Sequence, residues 1–508
     1  MNKKKIVVIP LDERPCNYTF NQLLVLETDY EVVVPPMEIL GDKKKAGNTE
    51  LITQWLIEHA KDAYGAVIAV DTLVYGGIVP SRLHEDDTNT LIERLSVLKT
   101  IKESNKNLKI FAYNLIMRNP KYSSADEEPD YYGVWGREIH LHGVYKHKED
   151  LNIITEAEEA NFEAIKKRLP QEYLDDYLLR RDKNTVVNNA FLTYIRDGII
   201  DFGIVPQDDS SPYGLTALDQ AKIRKTIEDF DIELKAYMYP GADEVTNVLL
   251  ARMVNEDHGY RPNVFVKYSS VAAGRIIPLY EDRYLHETLK YQILAAGGMT
   301  ATSAHEADIV LMVNAPSEDM REASHYNEQS IVYEAFRTLV EFVEYTKYAI
   351  EKLNKKVVIA DVAYANGGDP KLLKMLKQAG LLYKLSGYAG WNTSSNTIGT
   401  CLPQGMIHYY YGDRKAHFDF LGLRYVEDVG YCSFVRGEVS RNLPEGFDYF
   451  LIDGKRGHIV NNMIKVALDR FIEEKLNDGK HKVVIKDIYS PWNRMFETGL
   501  TVEVIDEN

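Results

Sequence analysis

Short runs of β-branched and other apolar residues recur along this chain, and nearly every one stops in a polar or aromatic residue. Ile6-Val7-Val8-Ile9 leads to Asp12, the run 65–70 to Asp71, and the run 109–113 to Asn114. The runs 202–205, 234–238 and 308–313 lead to Asp208-Asp209, Tyr239 and Asn314. The runs 356–360 and 384–390 lead to Asp361 and Trp391. Runs this short and this uniformly apolar fit strands buried on both faces.

Most of these runs are separated by helical spacing, as in Leu91, Leu95, Leu98 and Ile101. Alternating strand and helix imply a parallel sheet. Eight runs remain when Val32-Val33-Val34 and Val264-Phe265-Val266-Lys267-Tyr268 are set aside. Eight βα units predict a (β/α)8 TIM-like barrel, an α/β fold with its active site at the C-terminal ends of the strands. The alternative is two doubly wound open α/β domains, among which ten strands divide equally well and which also bind ligands at strand ends. The expected layout is a barrel over 1–414, with an insertion at 119–200 and an excursion at 256–307. A C-terminal α+β accessory region follows at 415–508, ending in two segments that alternate like antiparallel strands. A long amphipathic helix is expected over 328–353, and Thr49 and Asp369 as helix caps.

The net charge of −16 argues against nucleic-acid and anionic-membrane partners, which call for a basic surface. No run is apolar enough to span a bilayer, and the N-terminus lacks the apolar stretch of a secretory signal. The three cysteines form no CxxC pair. That fits a reducing compartment, so the expected location is cytoplasmic. The oligomeric state is not legible.

Asp208-Asp209 is the most chemical of the strand ends. Adjacent carboxylates repel, which raises at least one pKa, so one can donate a proton while the other orients or stabilises. Asp12, Arg14 and Asn17 form a dense polar run after the first strand, and a clamped arginine binds anions or hydroxyls. Tyr239, Asp243 and Glu244 end the fifth strand, where Asp243 is equally a helix-cap candidate. Trp391 and Asn392, with Asn396 beyond them, end the eighth, suited to stacking on a sugar and binding its hydroxyls. Asp71, Tyr75, Asn114, Arg118, Asn314, Asp361, Asn366 and Asp369 complete the ring, each also an ordinary turn or cap residue. The Gly pairs at 76–77 and 367–368 match neither GxxxxGK[ST] nor GxGxxG, which disfavours nucleotide binding. Acids beside asparagines are hard-cation donors, but no metal-ligand spacing marks a divalent site, so no metal or cofactor is assigned.

The segments Pro10-Leu11-Asp12-Glu13-Arg14-Pro15-Cys16-Asn17, Asp71-Thr72-Leu73-Val74-Tyr75-Gly76-Gly77 and Gly387-Tyr388-Ala389-Gly390-Trp391-Asn392-Thr393 resemble a bacterial conserved family of unknown function. That resemblance covers nearly the whole chain and implies no activity. In arrangement, an Asp pair on the fourth strand, a Tyr on the fifth and Trp-Asn late in the barrel are similar to substrate-assisted β-N-acetylhexosaminidases, including O-GlcNAcase-like enzymes. That likeness implies that Asp208 orients an acetamido group and Asp209 is the general acid. The expected function is therefore a glycoside hydrolase acting on small sugars or glycan fragments, N-acetylhexosaminides among them. The alternatives are a metal-assisted hydrolase or lyase on a small polar substrate, and a non-catalytic sugar-binding protein.

Overall fold

The computed structural model describes residues 3–506. Six strands form one parallel sheet: β1 (Lys4–Ile9), β2 (Tyr30–Val33), β3 (Gly65–Ala69), β4 (Lys109–Tyr113), β5 (Phe202–Gln207) and β6 (Ala236–Pro240), in the order β2-β1-β3-β4-β5-β6. A second parallel sheet uses β7 (Asn263–Tyr268), β8 (Met299–Thr300) and β9 (Ile309–Asn314). After the two-residue β10 (Arg321–Glu322) come β11 (Lys356–Asp361), the two-residue β12 (Tyr364–Ala365) and β13 (Gly387–Ala389). The second sheet is ordered β13-β11-β9-β7-β8, while β10 and β12 pair separately. β14 (His481–Tyr489) and β15 (Gly499–Asp506) form an antiparallel pair near the C-terminus.

The fold is thus mixed α/β with two open parallel sheets, and the eight counted strands do not close into the expected barrel. The two strands set aside explain why. β2 forms an edge of the first sheet and β7 an interior position of the second. Restoring them turns a count of eight into two families. Counted within each sheet and without the short β10 and β12, both begin with the order second, first, third, fourth, fifth.

Alternation along the strands sorts the cores. Val7, Ile9, Ala66, Ile68, Ile110 and Ala112 pack on one face of the first sheet with Ile52, Leu56, Leu91 and Leu98 of its helices. Ile6, Val8, Val67, Phe111 and Tyr113 point to the other face, into a core that continues through the second sheet. Strands covered on both faces need no polar side, so the runs read as uniformly apolar. The joint between the sheets is a helix pair, Val245–Asp257 against Ser394–Tyr411. Gly399 permits the close approach, since a Cβ there would lie 2.2 Å from Glu244 Cγ.

Local expectations fare unevenly. Asp369 does cap the helix Pro370–Gln378, accepting from the Lys371 amide. The helix Thr49–Ala60 is capped by Asn48 instead of Thr49. The long helix over 328–353 is broken into Ile331–Glu334 and Leu339–Glu351. The break has a cause: the Thr338 amide bonds to Ser269 O, and Arg337 turns inward to Asn314 and Asp369. Within 119–200 lie three helices, Tyr132–Asp150, Glu156–Arg168 and Gln171–Arg196.

Candidate functional site

The carboxyl ends of the first sheet open onto a cavity of about 430 Å³. Its lining includes Arg14, Arg82, Arg118, Asp208, Asp209 and Asp243 from the ends and following loops of that sheet. Tyr280, Asn366 and Asn392 reach it from the second half of the chain, and Tyr449, Phe450, Arg494 and Phe496 from the C-terminal region. Residues 122–124 and 126–128 complete the wall.

One ion-pair network begins where β1 ends. The Arg14 amide donates to Asp12 Oδ1 at 2.9 Å, closing the turn, and the guanidinium reaches back to Asp12 Oδ2 through Nε at 2.9 Å and Nη2 at 2.6 Å. Nη2 also donates to Asp243 Oδ1 at 2.6 Å, and Asn17 Nδ2 donates to Asp12 and Asp243, each at 2.9 Å. Asn392 Nδ2 donates to the other Asp243 oxygen at 3.3 Å, joining the eighth counted strand end to the first and fifth. The Arg14 guanidinium lies 4.3 Å from the Trp492 ring centroid. Asp243 is therefore no helix cap; the following helix, Val245–Asp257, has no side-chain cap at all.

A second network holds the Asp pair. Arg82 donates to Asp208 at 2.7 Å, Glu127 at 3.1 Å and Glu128 at 3.3 Å. Arg118 donates to Glu128 at 2.7 Å and Asp209 at 3.0 Å, and pairs with Glu127 at 3.1 Å. Arg494 pairs with Asp126 at 3.0 Å, with Glu497 at 3.0 Å, and with Glu127. Each Asp of the pair thus spends Oδ2 on an arginine, and its Oδ1 has no partner among the described residues. Neither caps the next helix, which begins behind Gly214 without a side-chain cap.

The charges follow from this packing. Burial, then the neighbouring Asp209, pushes the Asp208 carboxyl up to about 6 against the pull of Arg82 and Arg118. Burial also raises Asp209, opposed mainly by Arg118. Burial works to raise Glu127 too, but Arg118, Arg494, Arg82 and Arg14 outweigh it and hold that carboxyl well below the usual range. Glu13, buried beside Asp12, is pushed up to about 7.

Of the residues singled out from sequence, Arg14, Arg118, Asp208, Asp209, Asp243, Asn366 and Asn392 line the cavity, with Asp12 and Asn17 directly behind Arg14. The others lie elsewhere. Asp71 is buried beneath, accepting from Asn114 Nδ2 at 3.2 Å and the Leu115 amide at 3.0 Å. Tyr75 packs on His84, its hydroxyl without a partner among the described residues. Tyr239 is buried against Tyr291, and Glu244 accepts from the Ala242 amide and Gln292, its carboxyl pushed by burial up to about 7. Asn314, Asp361 and Asp369 form a separate buried cluster with Arg337 and Tyr388. Trp391 packs edge-on to Phe20 and donates to Thr400, and Asn396 lies in the first turn of its helix, so neither stacks on a ligand in the cavity. Two features of the hexosaminidase likeness, Tyr239 and Trp391, are therefore absent from the cavity wall.

Arg82, Glu127, Glu128, Tyr280 and Arg494 were not singled out from sequence, because none directly follows a buried apolar run. The available signal was composition: Asp126-Glu127-Glu128 and Pro491-Trp492-Asn493-Arg494 are dense polar and aromatic clusters in segments with no buried strand. Among the described residues no group of three or more His, Cys, Asp or Glu side chains is arranged to hold a metal ion.

The description "Protein of unknown function (DUF4127)" belongs to a family that matches residues 6–501. The chain belongs to that family. The match runs from within β1 to the start of β15, so every residue lining the cavity lies inside it. Among curated proteins no match is found. No helix among the described residues is long and apolar enough to cross a membrane.

Proposed function

We propose that this protein is a glycoside hydrolase acting on a small sugar or glycan fragment by acid/base chemistry in the cleft between the two sheets. The observation that carries the reading is the Asp208–Asp209 pair on the cavity wall, each with one oxygen committed to an arginine and one unpartnered among the described residues. The pair holds a proton near neutral pH more readily than an ordinary carboxylate would. In this reading Asp208, pushed up to about 6, protonates the glycosidic oxygen as the anomeric C–O bond breaks, Asp209, charged beside Arg118, stabilises the positive charge developing at that carbon, and water then bonds to the carbon and returns a proton to Asp208. That exchanges the roles implied by the hexosaminidase likeness. With Tyr239 and Trp391 outside the cavity, an N-acetyl group is not part of the proposal.

The cavity volume falls in the range of small-ligand sites, about 300–1,000 Å³. Tyr122, Tyr280, Phe450 and Phe496 supply apolar ring faces to a sugar's C–H face, and the Asn366 and Asn392 amides are partners for hydroxyls. We place the activity in the cytoplasm, where the three buried, unpaired cysteines stay reduced.

A panel of aryl glycosides of hexoses and N-acetylhexosamines tests the proposal. The expected result is turnover of at least one hexoside, reduced about 100-fold or more in Asp208→Asn and in Asp209→Asn. No turnover on any member, with saturable sugar binding retained, would convert the reading to a non-catalytic sugar-binding protein. Full activity in both variants would remove the pair from the chemistry.

A further inference from the structure

The acid cleft does not end at the Asp pair. A smaller chamber of about 220 Å³ adjoins it, and the two share Tyr122, Asp209 and Tyr280. Asp208 lines the larger cavity alone. The chamber is smaller than a whole small-ligand site of roughly 300–1,000 Å³, so it takes one part of a ligand.

The threshold between the two is built under strain. Asp209 and Tyr280 both have left-handed backbones, with φ of 42° and 69°. An aspartate tolerates that region, but a bulky tyrosine there is a genuine outlier. Such outliers persist where the surroundings fix them, and they collect at binding sites. The Tyr280 hydroxyl donates to Glu322, whose other oxygen accepts from Asn366 Nδ2 at 2.8 Å. Glu322 thus ties the threshold ring to an amide on the wall of the larger cavity.

Acceptors outweigh donors in the chamber. His140, on the helix Tyr132–Asp150, has Nδ1 at 2.9 Å from Asn119 O. A carbonyl oxygen only accepts, so Nδ1 carries the hydrogen. Burial lowers the imidazole's pKa and keeps it neutral, so Nε2 is a bare acceptor with no partner among the described residues. Asp209 Oδ1 is equally unpartnered among them. Ser211 spends its hydrogen on Tyr213 O, and Lys121, exposed, lies over the Tyr280 ring at 5.7 Å. Pro120, Pro212 and Pro278 supply walls from three separate loops, with fixed φ and no N–H to donate. A rigid, donor-poor chamber takes a ring that brings its own donors, as a sugar does with its hydroxyls.

We propose that the cleft is a two-subsite channel for a di- or oligosaccharide, in which the ring whose anomeric carbon reacts sits in the smaller chamber and the leaving sugar sits in the larger cavity. The direction rests on the hydrolase reading: Asp209, beside the anomeric carbon, lines both cavities, whereas Asp208, beside the leaving oxygen, lines only the larger. The anomeric C–O bond breaks at the threshold, the leaving sugar departs with the Asp208 proton, and water gives its hydroxyl to the carbon and a proton back to Asp208. His140 Nε2 accepts from a hydroxyl of the reacting ring. Phe450, half-exposed on the wall of the larger cavity, is a stacking face for the leaving sugar.

Titration calorimetry on the full chain tests the assignment in Asp208→Asn, which blocks turnover. The probes are cellobiose, lactose, mannobiose and xylobiose, each matched to the monosaccharide at its non-reducing end. At least one disaccharide is expected to saturate with a Kd below about 1 mM, about tenfold or more tighter than its monosaccharide. Adding His140→Asn, which keeps a donor toward Asn119 O and removes Nε2, should weaken both sugars about fivefold. Adding His140→Gln instead returns an acceptor near the Nε2 position and should recover most of that loss. Adding Phe450→Ala should weaken the disaccharide about fivefold and the monosaccharide less than about twofold. If Phe450→Ala weakens both alike and His140→Asn weakens neither, the reacting ring lies in the larger cavity and the proposal is overturned. Failure of every sugar to saturate overturns it too. Unchanged kcat/KM for an aryl hexoside in His140→Asn overturns the two subsites and leaves the hydrolase standing. The expected binding pattern without any turnover by the wild type keeps the two subsites and removes the hydrolysis.

Discussion

Arg82→Met tests whether the arginine–acid lattice is a set of buried, mutually dependent ion pairs. Arg82 is 2% exposed and serves three carboxylates, Asp208, Glu127 and Glu128. Methionine keeps an apolar stem and removes the cation. Removing one partner of a buried pair costs about 3–5 kcal/mol. Arg118 remains for Glu127 and Glu128, and Arg494 for Glu127, which puts the cost near the low end, about 3 kcal/mol at pH 7.5. Asp208 is the member left exposed to the loss, because Arg82 is its one ion-pair partner among the described residues. Its carboxyl already titrates near 6, above an unfolded value of about 3.9, and without Arg82 it rises further. A carboxyl raised on folding binds a proton in the folded state, so stability is regained as pH falls through the folded pKa. Glu127, held low by its remaining arginines, stays ionised throughout this window. The cost of the variant should therefore shrink, to about 2 kcal/mol at pH 5.5. Urea denaturation followed by far-UV circular dichroism at the two pH values measures both numbers. A cost below about 1 kcal/mol at pH 7.5, or equal costs at the two pH values, would refute the reasoning.

Further outcomes are expected elsewhere in the molecule. Glu244, buried and pushed up to about 7 from an ordinary 4.5, makes the folded state less stable as pH rises from about 4.5 to about 7, and the loss levels off above that. Glu244→Gln should flatten the stability–pH slope by about 1 kcal/mol per pH unit between pH 5 and 6.5 and by little above pH 7.5, measured by denaturation between pH 5 and 8. A Cβ at Gly387 would meet Cys401 O, a backbone atom, at 2.4 Å, so Gly387→Ala should cost about 2–3 kcal/mol by thermal denaturation. Trp391→Phe should lower stability by about 1–2 kcal/mol through lost packing on Phe20, yet leave the KM of any turned-over sugar unchanged, since Trp391 is outside the cavity. If Asp208 is the proton donor, the activity of the wild type should fall on the alkaline side with an apparent pKa near 6, read from kcat/KM against pH.

The sequence by itself determined the strands. A run such as Ile6-Val7-Val8-Ile9 has no polar side to offer, so it must be buried on both faces, and the residue after it must lie at a sheet's edge where function collects. That local logic found Arg14, Asp208, Asp209, Asp243 and Asn392, which the fold brings to one cleft. It could not determine which strand pairs with which. Hydrogen bonding between parallel strands leaves no mark on the individual runs, so eight strands in one barrel and ten or more in two sheets read alike until β2 and β7 take their places. Tertiary structure also decided the charges of the site. Arg82, Glu127 and Arg494 are far apart in sequence and precede or follow no informative period. Only their convergence shows that the Asp208–Asp209 pair is held apart by arginines, each carboxylate keeping one oxygen for whatever enters the cleft.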